Sequence, residues 1–393
     1  MSNIKPYVIG IDASNIRGGG GITHLIEILR AAQPELHGIE RIVVWGSNRT
    51  LSKLEDSPWL NKYNPPMLNH GALKRQLWQH YYLPQAARDE GCCLLFIPGG
   101  SYFGNFHPVI TMSRNLLPFE MSESRRYGLT FAFLRLFLLY FIQIHTFRKS
   151  DGVIFLNSYA QDIVLGATGK LKGKTTKISH GVNNRFYQAP KIQYNITEYN
   201  NTHPYSILYV SIVNQYKHQW HVVEAIAALR KQGLPIVLNL IGPSYPPSLK
   251  RLNKTIDRFD KDRSWVHYHG DISFDELQAH YAKADLGLFA SSCENMPNIL
   301  LETMASGLPI ACSNRGPMRE ILGSGGAYFD PEQPDEIANV LHDLIESPEL
   351  RAKLAKRSYK RSQQYSWKRC ADETFKFINM VIKIKNGSNA CAE

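Results

Sequence analysis

The segment Ala284–Leu322, ADLGLFASSCENMPNILLETMASGLPIACSNRGPMREIL, holds the residues best suited to chemistry. A strand ending near Ala290 leads into a loop that carries Glu294, and Pro297 then opens a helix that holds Glu302. Proline is favoured in the first helical turn because its missing N–H has no intrahelical partner there. The backbone N–H groups of Asn298 and Ile299 then point out of the helix end, where aligned peptide dipoles favour an anion, a diphosphate above all. Glu294 precedes the helix and Glu302 lies a turn or more inside it, so the two cannot form a tight carboxylate dyad. They suit two parts of one elongated ligand, a sugar at one end and a ribose at the other.

Other segments add to this. In ILYVSIVNQYKHQ a buried strand ends at Val210, Ser211 follows it, and Lys217 sits in the loop before a helix. RGGGGITH, Arg17 to His24, puts glycines that include Gly20 and Gly21 between a strand and a helix, where backbone N–H groups can approach a phosphate closely. Alone, this loop serves a dinucleotide equally well, or is a structural turn, and GGGGIT does not fit GxGxxG spacing. Pro98-Gly99-Gly100 and Thr111–Glu120, with Arg114 and Asn115, occupy strand ends on the same side. Asp260-Lys261-Asp262 forms a DxD without an apolar strand ahead of it, which reads as a solvated turn. No metal is therefore required.

ENMPNILLE, Glu294 to Glu302, resembles the E-x7-E donor-binding motif of retaining glycosyltransferases of family 4. The similarity runs from the glycine loop to the Trp367 segment. It implies a GT-B fold: two Rossmann-like α/β domains facing across a cleft, with a C-terminal helix that crosses back to the N-terminal domain. It also implies that Glu294 bonds the transferred sugar, that Glu302 holds the ribose, and that the stretch Asn295, Met296, Pro297, Asn298 and Ile299 contacts sugar and phosphate. Lys217 corresponds to the lysine that neutralises the donor pyrophosphate, a fixed charge where negative charge develops. Gly20 and Gly21 correspond to a loop facing the donor phosphate, Gly242 lets the nucleotide lie close to the sheet edge, and Gly270-Asp271 lies against the base. Two departures stand out: Ile212 occupies a position commonly held by arginine, and Arg114 and Asn115 stand where many relatives have a histidine. His180, in ISHGV, resembles the segment leading to the hinge, and a lone histidine is also read as structural.

The elements must position these groups. Tyr7–Ile11, Arg41–Trp45, Cys92–Ile97, Val109–Met112, Gly152–Leu156 and Thr176–Ser179 read as strands alternating with helical periods, which argues for a parallel α/β half. The polar interval from Gln188 to Pro204 reads as a linker or its margin. The alternation restarts with Ser206–Val210, Ile236–Ile241, Trp265–His269, Leu286–Phe289 and Pro309–Cys312 as strands and His221–Gln232, Asp275–Ala282 and Pro297–Ala305 as helices. The expected domains are 1–187, binding the acceptor, 188–365, binding the donor, and the helical segment 366–393, with Trp367, Phe375 and Ile378 on its apolar positions.

Composition bounds the rest. The 393 residues exceed one usual core, and 44% hydrophobic with 20% charged residues excludes disordered and fibrous classes. Cys92, Cys93, Cys293, Cys312, Cys370 and Cys391 show no zinc spacing and read as reduced thiols; the first residues do not read as a secretory signal. The net charge is +11, with five Lys/Arg and no acid from Arg125 to Lys149, and eight and no acid from Arg351 to Arg369. Such runs suit an anionic surface or a solvated helix face. Phe131–Ile144 is too short to span a bilayer and reads either as a buried helix or as an interfacial face on anionic lipid.

The resemblance implies retaining, metal-independent transfer of a hexose, mannose being one candidate, from a nucleoside-diphosphate sugar. The expected acceptor is a saccharide or lipid-linked saccharide of bacterial polysaccharide or lipopolysaccharide (O-antigen) synthesis. The expected place is the cytoplasm, peripheral on the inner membrane face, with no cofactor beyond the co-substrate and no nucleic acid partner. Competing readings are a catalytically degenerate GT-B scaffold or membrane-associated binding protein, and an NAD-dependent oxidoreductase using the glycine loop with Glu40.

Overall fold

The computed structural model describes residues 6–390; Cys391 and the first five residues, on which the absence of a secretory signal was partly read, lie outside that range. The described chain divides into two compact units, the first built from the residues up to Met121, Leu129–Gly181 and the segment from Ser366 onward, the second from Ser122–Gly128 and Val182–Tyr365.

In the first unit the strands are β1 (Tyr7–Asp12), β2 (Ile39–Trp45), β3 (Leu60–Tyr63), β4 (Leu94–Ile97), β5 (Val109–Met112), β6 (Gly152–Phe155) and β7 (Lys174–Lys177). They form one parallel sheet in the order β3-β2-β1-β4-β5-β6-β7. Runs such as LLFI in β4 and GVIF in β6 are buried throughout because helices cover both faces of a parallel sheet. The second unit repeats the plan with β8 (Tyr205–Val210), β9 (Ile236–Ile241), β10 (Val266–Tyr268), β11 (Leu286–Phe289), β12 (Ile310–Ser313) and β13 (Ala327–Phe329), in the order β10-β9-β8-β11-β12-β13. Each sheet reverses its winding beside its first strand, at β1/β4 and at β8/β11. Open α/β sheets bind ligands at the carboxyl ends of the strands at such points.

Several elements differ from expectation. The fourth strand starts at Leu94, two residues after Cys92, and β7 is Lys174–Lys177, two residues earlier than read. The polar interval from Gln188 is packed against the second unit by hydrogen bonds in place of apolar burial: Gln188 N donates to Ala305 O at 2.9 Å, Lys191 Nζ to Ala284 O at 2.9 Å and Tyr199 OH to Asp285 Oδ1 at 3.1 Å. Arg351, at the head of the basic C-terminal run, is fully buried and donates to Leu344 O at 2.7 Å, to Gln193 Oε1 at 3.0 Å and to the carbonyls of Ile345 and Tyr194. That charge serves the fold of this segment.

The C-terminal helix, Trp367–Ala390, belongs to the first unit. Trp367, Phe375 and Ile378 are buried, His37 packs tilted against Phe375 with centroids 5.9 Å apart, and Asn379 Nδ2 donates to His37 O at 3.0 Å. Phe377 packs over Gly152 of β6.

Candidate active site

In the second unit the loops after β8 and β11 are stitched together. Ser292 N donates to Tyr216 O at 2.9 Å, and Tyr209 OH of β8 donates to Lys217 O at 2.8 Å. These bonds place Lys217 and Glu294 side by side in a direct ion pair, both largely buried. The Lys217 ammonium also lies 5.1 Å from the Tyr216 ring centre and 5.3 Å from that of Phe289, so aromatic faces flank the cation.

Lys217 is followed by His218, whose φ of 52° is the left-handed backbone that a residue with a side chain rarely adopts. A buried relay holds it there. Ser292 Oγ donates to Glu123 Oε2 at 2.7 Å and accepts from His218 Nε2 at 2.9 Å. Burial, with a smaller push from Arg126, drives the His218 imidazole down to about 3, so it stays neutral and is a fixed donor. Glu123 comes from Ser122–Gly128, the stretch that the first half of the sequence contributes to this unit. Arg126 of that stretch bonds both Glu123 and Glu332, and Tyr127 OH donates to Asn214 Oδ1 at 2.8 Å.

The helix that follows Glu294 runs Asn298–Ala305, with Pro297 as its N-cap rather than its first residue: the Pro297 carbonyl accepts from Leu300 N at 3.1 Å. Asn295, Met296 and Pro297 are buried, and Asn298 and Ile299 half-buried. Glu302 lies inside the helix, buried, with Oε2 making no hydrogen bond in the structure. Burial raises its carboxyl to about 7, against the opposing pull of nearby Arg185 and a hydrogen bond from Tyr281. At the other edge, Gly242 (φ 136°) follows β9, its N–H donating to Gly270 O at 2.7 Å. A Cβ on Gly242 would lie 2.7 Å from the Ser211 carbonyl carbon, so the ends of β8, β9 and β10 close up only around glycine. Ser211, Gly242 and Gly270 are thus neighbours, and Asp271 beyond them is exposed.

Asp260 is not part of a solvated turn. It is buried, and although burial pushes its carboxyl up, the amides of Trp265, Val266 and Ser264 outweigh that and hold it below its usual range. It clasps the entry to β10. Among the described residues, no group of three or more His, Cys, Asp or Glu is placed to hold a metal.

In the first unit, Gly20 and Gly21 are the first residues of the helix Gly20–Arg30 rather than loop residues, and Gly19 is its N-cap with no side-chain cap bond. Arg114, from the loop after β5, lies against them: a Cβ on Gly21 would be 2.9 Å from Arg114 Nη1. The Arg114 Nε is buried and makes no hydrogen bond in the structure, and burial alone brings the guanidinium down to about 10. His24, one turn along the helix, is fully buried and packs tilted against His180 with centroids 5.0 Å apart; His180 stacks on Trp367 at 5.6 Å. His180 is therefore a core ring in this cluster. Asn115 is exposed and caps its own turn, accepting from Leu117 N at 3.2 Å.

Sequence reasoning placed Lys217, Glu294 and Glu302 in one unit but missed their supports. Arg185 and Tyr281 beside Glu302, and Glu123 behind Ser292, come from segments with no motif. The adjacency of Arg114 and Gly21 had one available signal, the run of glycines with no bulk over the helix start.

The fold is GT-B, an α/β architecture of two Rossmann-like units. The crystal structure of Anabaena Alr3699/HepE in complex with UDP is similar over 95% of this chain and 100% of that one, with a TM-score of 0.68 at 17% identity. Residues 195–361, nearly all of the second unit, match the family glycosyl transferases group 1. Among curated proteins, the O-antigen chain mannosyltransferase B of Escherichia coli is 28% identical over 117 residues, 30% of this chain and 31% of that protein. The serotype-specific mannosyltransferase WbdA of Escherichia coli is 23% identical over 258 residues, 64% of this chain and 31% of that protein. The chain spans less than a third of the length of these curated relatives.

Proposed function

We propose that this protein is a glycosyltransferase that moves a hexose from a nucleoside-diphosphate sugar to a saccharide hydroxyl, its second unit holding the donor. The observation that carries the reading is the buried Lys217–Glu294 pair at the β8/β11 switch point, one short helix from buried Glu302, in the region that matches glycosyl transferases group 1. Lys217 and the amino end of the Asn298–Ala305 helix take the diphosphate, and the fixed positive charge offsets the charge that builds up as the bond between the sugar C1 and the phosphate oxygen breaks. Glu294 orients the sugar hydroxyls and Glu302 the ribose. Gly242 and Gly270 let the nucleotide approach the strand ends.

Within the first unit, Arg114 and the amides that begin the Gly20–Arg30 helix offer a place for an anionic group. We read the transfer as retaining and independent of metal, with the leaving phosphate accepting the proton of the attacking hydroxyl. The mannosyltransferase relatives favour a mannosyl donor and a bacterial polysaccharide acceptor.

A thermal-shift panel of GDP-, UDP- and ADP-sugars tests the donor site, because a ligand that binds only the folded state raises stability by mass action. One nucleotide should raise the melting temperature of the wild type and fail to do so for Glu302→Ala. Donor hydrolysis should persist in EDTA and vanish in Glu294→Ala. Equal, zero turnover in wild type and variant would instead make the protein a scaffold. The anomeric configuration of the product, read by NMR, decides retention.

A further inference from the structure

The helix runs Phe131–Lys149, five residues beyond the apolar stretch read from the sequence, and is long and apolar enough by composition to cross a membrane, yet only 22% of its apolar part is buried. That overturns its reading as a buried helix of the first unit. Phe131, Leu134, Phe137, Leu138 and Phe141 are all exposed, Phe131 by 80%. At 100° per residue these positions fall within one third of the helix circumference, so they form one continuous face. Arg135 is exposed at the rim of that face, and Arg148 and Lys149 at its carboxyl end.

A second helical stretch of the same unit has the same character. Ala72–Leu77 and the turn Trp78–Tyr82 expose Leu73 by 70% and Tyr81 by 65%, with Leu77 between them at the i+4 position. Both stretches pack against the loop after β4: Gln79 Nε2 donates to Ser101 O at 3.1 Å, and Tyr102 N donates to Thr146 Oγ1 at 3.1 Å. The charge pattern is one-sided. The sequence has no Asp or Glu from Ser57 to Arg88, nor from Ser124 to Ser150, whereas Lys74, Arg75, Arg135, Arg148 and Lys149 all lie on these two helical stretches.

We infer that these two stretches form a docking surface for an anionic lipid bilayer, with the Phe131–Lys149 helix lying in the interface and its basic residues on the headgroups. An exposed apolar face bounded by cations and without acids is complementary to such a surface: apolar side chains enter the acyl boundary while lysine and arginine heads remain at the phosphates. The assignment is independent of the donor site and adds a partner to the proposed transferase, one that would present a lipid-linked acceptor to the first unit.

The test uses the full chain and vesicles of phosphatidylglycerol with phosphatidylcholine, or of phosphatidylcholine alone. Wild type should sediment with the anionic vesicles at low salt at least about tenfold better than with the neutral ones, and high salt should weaken this. Leu134→Ser/Phe141→Ser and, separately, Leu73→Ser/Leu77→Ser should each lower binding by about tenfold or more, and Arg135→Glu/Lys149→Glu should lower it on anionic vesicles only. All of these residues are exposed, so circular dichroism and the nucleotide thermal shift should match wild type, which separates failure here from failure of the donor site. The inference is overturned if wild type does not sediment with anionic vesicles, or if the apolar variants sediment as wild type does. It is also overturned if wild type elutes as a dimer that Leu134→Ser/Phe141→Ser converts to a monomer without any vesicle binding. Membrane-bound protein that resists alkaline carbonate would overturn the surface-lying geometry in favour of a span.

Discussion

Glu302 carries the pH signature of the candidate site. Burial places its folded-state value near 7 against an ordinary 4.5, so the fold favours the neutral form. A carboxyl raised on folding contributes stability that is fully present below the unfolded value and is lost as pH rises through the folded value. Between about pH 4.5 and 7, therefore, Glu302 should make the free protein less stable with rising pH. Glu302→Gln should flatten that window and raise the melting temperature at pH 8 by a few degrees, while weakening nucleotide binding about tenfold, as melts from pH 5 to 8 with and without nucleotide would show. The Lys217–Glu294 pair makes a complementary case. Lys217→Met leaves a largely buried carboxylate without its cation, at a cost of about 3 kcal/mol in urea unfolding. Lys217→Met/Glu294→Gln should regain more than half of that stability while donor turnover stays absent in both. These three residues were legible because their identities and spacing sit in one contiguous motif and one strand-end loop. Arg185, Tyr281 and Glu123 were not, because what makes them relevant is burial beside a distant segment, which no local pattern encodes.

In the proposed donor site, strand ends set how closely a nucleotide could approach the second sheet. The apolar runs of β8, β9 and β11 announced themselves, whereas β3, LNKY, and β13, AYF, are three or four residues long with little apolar periodicity and were not read from sequence. The Phe131–Lys149 helix shows the reverse problem: composition alone cannot say whether an apolar helix is covered, and here it is not. Gly242 tests the strand-end geometry. With φ at 136° and a Cβ there falling 2.7 Å from the Ser211 carbonyl carbon, Gly242→Ala must push β8 and β9 apart where they end. The expected result is a stability loss of about 2 kcal/mol together with a nucleotide affinity lowered about tenfold, measured by denaturant titration and by calorimetry. Loss of stability with unchanged affinity would remove this edge from the donor site.

At the scale of the whole molecule, chain order and unit membership part company. The final helix, Trp367–Ala390, follows the second unit in sequence but packs in the first, where Phe375, Phe377, Ile378, Val381 and Ile382 are buried and Lys385 Nζ reaches Asp151 Oδ1 at 2.7 Å. Gly181 permits this closure: a Cβ there would overlap the backbone of Ser366 and Trp367. The periodicity of the last segment made its helix and its apolar face legible, while the unit it would cover came from family resemblance, since a stripe of apolar residues does not name its partner. Truncating Phe375 to alanine should therefore act on the first unit. A buried phenylalanine lost from a packed core costs about 3 kcal/mol or more, and native-state hydrogen exchange reports where that cost falls. Faster exchange is expected in β1, β2 and the Gly20–Arg30 helix, with protection across residues 205–361 and the nucleotide-induced thermal shift both retained. Equal loss of protection in both units would mean that they unfold as one, and a lost thermal shift would mean that nucleotide binding depends on the terminal helix and not on the second unit alone, where the donor site is proposed.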